Sequence, residues 1–60
     1  MRPIDDTVGT AEYLGKPTRT LEDWRYRHVG PPYVRVGRAV RYTRRDVDAW
    51  IDAQTVRPVG

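Results

Sequence analysis

The sequence predicts a small α+β fold of three short helices, with a two-stranded β-hairpin between the second and the third. Three observations carry this. Pro17 to His28 has two unlike faces at helical spacing. Tyr33 to Tyr42 alternates in a strand-like way about a centre at Gly37-Arg38-Ala39. Thr43-Arg44-Arg45-Asp46 opens a last helical stretch with a capping-box-like start. The 60 residues make one domain at most, because so short a chain buries only about 60% of its unfolded surface. Order is expected over about residues 7–54, with 1–6 and 55–60 as loose tails.

The first helix is expected from about Val8 to Leu14, with Asp6 or Thr7 as its N-cap. Asp5 and Asp6 suit the positive end of its dipole. Val8, Ala11 and Leu14 supply a small apolar face. Gly9 lies inside the helix and costs roughly 1 kcal/mol relative to alanine. Gly15 is placed to end it in the left-handed conformation. Pro17 then suits the first turn of the second helix, where a missing N–H costs nothing.

In that second helix, Leu21, Trp24 and His28 fall on one side at about 100° per residue. Arg19, Asp23 and Tyr26 fall on the other, with Glu22 and Arg27 at its margins. The first face wants a core. The second offers long hydrogen-bonding side chains suited to the edges of base pairs.

Gly30-Pro31-Pro32 stops this helix. In the hairpin that follows, Val34 and Val36 are expected to face Val40 and Tyr42. Arg35 and Arg41 are expected on the opposite face, with Arg38 at the tip. A lone two-stranded hairpin is barely stable in water, so its Val/Tyr side must pack on the helices. The other side is then a basic ribbon fit for a sugar–phosphate backbone, or an edge hairpin protected by charge. The third helix, Arg44 to about Gln54, puts Val47, Trp50 and Ile51 on one face. Asp46, Asp48 and Asp52 form either a solvated face or a dock for a basic patch. The candidate core is Leu14, Leu21, Trp24, Val36, Tyr42, Val47, Trp50 and Ile51.

Charge is more informative by position than in total. Residues 16–45 hold nine positive side chains against two acids, net +7, and the remainder holds two against six, net −4, together the +3 of the chain. A basic middle between acidic ends is the footprint of a polyanion binder. Helix, tight glycine-containing turn, helix, then basic hairpin together make the pattern of a winged helix-turn-helix.

Thr10-Ala11-Glu12-Tyr13-Leu14-Gly15, Thr20-Leu21, Trp24, Val34-Arg35-Val36-Gly37-Arg38, Tyr42 and Asp46-Val47-Asp48-Ala49-Trp50-Ile51 follow one another in an order and spacing that resemble the excisionase family. This small winged-helix group, also called MerR-like, includes phage recombination directionality factors and AlpA-like regulators. The resemblance covers about residues 7–53. It implies a DNA-binding and DNA-bending protein that binds repeated attachment-site sequences, contacts neighbouring copies of itself, and turns a phage integrase toward excision. It implies a recognition helix in the major groove, with Arg19, Asp23, Tyr26 and Arg27 at the groove, and a wing with Arg38 at its tip. The full set of candidate DNA contacts is Thr18, Arg19, Thr20, Asp23, Tyr26 and Arg27 on the helix and Arg35, Arg38 and Arg41 on the wing. The chain departs from the family at Glu22 and Asp23, where a basic or aromatic residue is common. Two roles fit these acids: accepting from cytosine N4, or holding Arg19 and Arg27 through i,i+4 pairing.

Without cysteine, and with one histidine, the chain carries no disulfide framework and no cysteine or paired-histidine metal site; no cofactor is expected. There is no nucleophile–base pairing and no Gly-rich phosphate loop, which points away from an enzyme. No apolar run reaches a membrane span. The expected setting is the cytoplasm of a bacterial host, with the protein nucleoid-associated when bound. Three functions remain: an excisionase, a transcription regulator of the same fold, and a protein-interaction module whose basic face binds an acidic partner.

Overall fold

A computed structural model describes residues 1–56 and Pro58. The element order is β1 (Ile4–Asp5), α1 (Thr7–Leu14), α2 (Thr18–Tyr26), β2 (Val34–Val36), β3 (Ala39–Thr43) and α3 (Arg44–Ala53). The strands form an antiparallel sheet in the order β1-β3-β2. Three helices with this small sheet are a winged helix-turn-helix.

The helix ends follow local chemistry. The Asp6 side chain accepts from the Gly9 N–H at 2.9 Å and caps α1. Gly15, at φ 68°, closes α1 in the left-handed region, and the Lys16 N–H reaches back to the Ala11 carbonyl at 2.9 Å. That is a Schellman closure. Thr43 caps α3 by accepting from the Asp46 N–H.

The second helix is shorter than its pattern suggests. His28 adopts φ 57°; its N–H donates to the Arg25 carbonyl, and the Val29 N–H donates to Trp24. A second Schellman closure thus ends α2 before Gly30. Leaving the helical path takes His28 off the inner face where it was expected, and it is exposed.

The core is built on Ala11, Leu21, Tyr42 and Val47, with Met1, Leu14, Trp24, Tyr33 and Val40 packed against it. Trp24 and Trp50 meet at 5.4 Å between ring centroids and join α2 to α3. Three expected inward residues differ. Val8 is 59% exposed because the core meets α1 between Thr10 and Ala11. Thr10 is fully buried, its hydroxyl satisfied by the Asp6 carbonyl. Ile51, at 38% exposed, lies at the margin of an α3 face centred on Val47 and Trp50. Val36, at 63% exposed, is turned outward by the hairpin.

The hairpin register explains Val36. Val34 pairs with Arg41, Arg35 with Val40 and Val36 with Ala39, so the loop is the two residues Gly37-Arg38. Gly37 has φ 61°, the conformation a tight hairpin requires at its first central position. A three-residue centre would have paired Val36 with Val40. The one-residue difference moves every side chain of β2 to the other face while those of β3 stay where they were expected. Val34, Val36, Ala39 and Arg41 therefore share the outer face, and Arg35 shares the inner one with Val40 and Tyr42.

Residues 1–6 are not a loose lead-in. Ile4 pairs with Thr43 and Asp5 with Tyr42. The Asp5 carboxylate accepts from the Arg2 N–H, the Arg2 guanidinium and the Asp6 N–H. These donors, the Arg2 backbone first, hold its pKa down to about 2. Gly9 makes room for this carboxylate: a Cβ there would overlap it. At the other end, Thr55 and Val56 carry no regular element and are exposed; Arg57, Val59 and Gly60 lie outside the described residues.

Candidate nucleic-acid interface

The outer face of α2 follows from where its apolar residues must go. With Leu21 fully buried and Trp24 half-buried, helical spacing leaves Glu22, Arg19, Asp23, Tyr26 and Arg27 on a contiguous outward arc of about 140°. All five are exposed, Tyr26 at 85%. Thr18 and Thr20 sit at the two flanks, each half-buried. The face is short and carries both charges. Arg27 Nε lies 3.0 Å from Asp23 Oδ2, one turn earlier. Of the two acids, Asp23 thus engages an arginine. Among the described residues, Glu22 forms no ion pair and neither does Arg19.

Arg25 goes the other way. Its Nη1 donates to the Tyr42 hydroxyl at 2.9 Å and the Thr7 hydroxyl at 3.2 Å. Its guanidinium carbon lies 5.8 Å from the centroid of the Tyr33 ring. One side chain thus ties α2 to α1, to β3 and to the residue before the wing. Sequence reasoning counted Arg25 only as positive charge. The signal that could have found it is its place one turn after Leu21, on the buried side of the helix.

The wing presents its arginines separately. Arg38 is exposed at the tip of the two-residue loop. Arg41 lies on the outer face, half-buried, and its Nη1 donates to the Val40 carbonyl at 2.8 Å. Arg35, on the inner face, stands 5.9 Å from the Tyr33 centroid. The expected pairing of Arg35 with Arg41 on one basic face does not form, because the register puts them on opposite faces. The outer face instead carries Val34 and Val36 beside Arg41.

The acids of α3 also separate. The Tyr13 hydroxyl donates to Asp48 at 2.6 Å, joining α1 to α3. This raises the phenol's pKa, since the bond favours the protonated form. Asp46 sits in the first turn beside the Thr43 cap, and Asp52 is exposed. They are not one acidic face. Among the described residues no group of three or more His, Asp or Glu side chains is placed to hold a metal ion. No helix among them is long and apolar enough to cross a membrane.

A helix-turn-helix of α1 and α2, an exposed polar face on α2 and an arginine-tipped hairpin define the class: a winged helix-turn-helix domain, a fold that supports sequence-specific binding of double-stranded DNA and is ordinarily non-enzymatic. A family model described as a helix-turn-helix domain matches residues 10–55, and the chain belongs to that family. No curated protein matches the sequence.

Proposed function

We propose that this protein is an excisionase, a recombination directionality factor that binds and bends phage attachment-site DNA and turns an integrase toward excision. In this reading α2 enters the major groove with Arg19, Asp23, Tyr26 and Arg27, flanked by Thr18 and Thr20. Arg38 and Arg41 of the wing contact the backbone, and Arg35 reaches it from the wing's inner face. The observation that carries DNA binding is the exposed polar arc of α2 on a helix-turn-helix whose chain also carries an exposed arginine at the tip of a hairpin.

The excisionase role rests on size and on the resemblance of the chain to that family. One helix and one wing cover only about one turn of duplex. So small a contact area supplies little specificity by itself. Several copies side by side, with modest contacts between them, raise the effective concentration and supply the rest. Wings and helices pressed along one face bend the duplex, at a cost of a few kcal/mol offset by the added contacts.

The test is in vitro recombination with paired attachment sites and a matched integrase, with and without this protein. Promotion of excision without support of integration is the expected result, with cooperative multi-site binding in gel-shift titrations. Non-cooperative binding to one isolated site, with the direction of recombination unchanged, replaces this reading with that of a transcription regulator. An affinity for duplex DNA independent of salt removes both and favours an acidic protein partner.

A further inference from the structure

Among the described residues the Asp23–Arg27 pair is the one ion pair on the outward arc of α2, and its geometry is specific. The carboxylate meets the arginine through Nε, at 3.0 Å. Among the described residues no second carboxylate reaches Arg27. The two terminal amino groups of the guanidinium are thus left without an acidic partner. Those two groups form the planar fork that matches paired acceptors.

We infer that Asp23 holds Arg27 by Nε so that its terminal fork is set for the O6 and N7 acceptors of a single guanine, making this pair the element of α2 that decides base preference. The inference rests on the reading that α2 enters the major groove. Stability does not account for the pair: both side chains are more than half exposed, and an exposed ion pair contributes little. A carboxylate on a face turned toward phosphates opposes binding. What it supplies is orientation. Asp23 precedes Arg27 by four residues, the better order for such a pair on a helix. An arginine already held in one geometry loses less rotamer freedom when it binds.

Guanine is the base this arrangement selects. It presents two acceptors side by side in the major groove, whereas adenine presents one acceptor and one donor and cytosine a donor. A donor-only fork meets an unpaired donor on the last two. Reach is sufficient. α2 has nine residues, about 13 Å at 1.5 Å per residue, close to the roughly 12 Å width of the groove. With α2 seated in the groove, Arg27 at its C-cap falls at the end of this span, where a long side chain can extend to base edges.

The experiment uses the full chain and a pool of random-sequence duplexes. Bound duplexes are selected and sequenced, and the enriched duplex is then titrated with each base pair replaced in turn. Asp23→Asn, Arg27→Lys and the double variant are carried through the same steps, with circular dichroism to confirm the fold at these exposed positions. The expected result is an enriched guanine whose preference falls roughly tenfold in Arg27→Lys, which keeps the charge but loses the fork. Asp23→Asn should lower the preference at that same base pair while tightening binding to unrelated duplexes. The double variant should lose no more than Arg27→Lys alone, because the two residues act as one unit. Base preferences unchanged in Arg27→Lys overturn the inference. So does an Asp23→Asn effect confined to a cytosine elsewhere in the site, which assigns the carboxylate a base contact of its own. If the unaltered protein binds no duplex even at low salt, the DNA-binding reading fails and this inference with it. Salt-dependent, sequence-selective binding that the variants leave untouched removes this inference alone.

Discussion

The N-terminal corner and the wing both lean on β3, and they are built in opposite ways. β1 has two residues and one of them is an aspartate, yet Asp5 is only 6% exposed. β2 has three residues, two of them valine, and all three are exposed. The corner is held by polar groups that find partners. Asp5 accepts three hydrogen bonds, Thr10 donates to Asp6, and Gly9 leaves the space the carboxylate fills. Apart from the ladder to β3, the wing is held through neighbouring residues, Tyr33 against Tyr42 and Val40 against the core. Apolar content therefore does not decide which strand is buried. A satisfied polar network specifies one position for its segment, whereas a valine with nothing packed over it specifies none. In functional terms, a fixed corner supports the start of α1, and the wing projects with a cationic tip.

The largest effect should come from Tyr42, which both regions share. Tyr42→Ala removes a buried ring and the acceptor for Arg25, and should cost about 3–5 kcal/mol. Against a total of roughly 3–9 kcal/mol for a chain of this size, urea denaturation should find at least about a third of the stability lost. An unchanged stability in Tyr42→Ala would show that corner and wing do not depend on this common support.

Arg25→Met should cost about 1.5–3 kcal/mol, because charged hydrogen bonds to Thr7 and Tyr42 are lost while the stem can still pack. Hydrogen exchange should rise in both α1 and the hairpin. A rise in only one of them would mean that Arg25 does not link the two regions.

Acid should weaken the corner in a narrow range. The folded pKa of Asp5 lies below its ordinary value of 3.8, at about 2. Its contribution is thus fully present above about pH 4 and is lost as pH falls through the folded value. Asp5→Asn should remove that part of the stability–pH curve and leave the rest. Parallel curves for the two proteins below pH 4 would assign the acid sensitivity elsewhere.

The smallest change in stability should come from the wing tip. Arg38→Ala should shift unfolding by less than about 0.5 kcal/mol while weakening cognate and random duplexes alike, since a backbone contact carries no sequence information. A loss confined to the cognate duplex would show that the wing reads bases or groove width.

Much of this architecture was legible in the order of residues, and the reason is range. Asp6, Gly15 and Thr43 mark helix ends because a cap acts on backbone groups two to five residues away. The outward arc of α2 could be read because Leu21 and Trp24 claim the opposite side, and helical period does the rest. The hairpin between α2 and α3 was likewise legible from alternation and glycine. What the sequence left open depends on partners distant along the chain. The choice of a two-residue turn at Gly37-Arg38 put β2 on the opposite face from the one expected while Val40 and Tyr42 of β3 stayed inward, since alternation fixes which residues of one strand share a face but not their register against the partner strand. β1 exists because β3 offers it an edge and Gly9 offers Asp5 a cavity, neither of which can be inferred from Ile4 and Asp5. Arg25 turned inward because Thr7, Tyr33 and Tyr42, from three separate parts of the chain, surround it with acceptors and a ring. Local hydrogen bonding and period were determined by the sequence itself; register, strand recruitment and the fate of a single arginine were decided only when distant segments packed together.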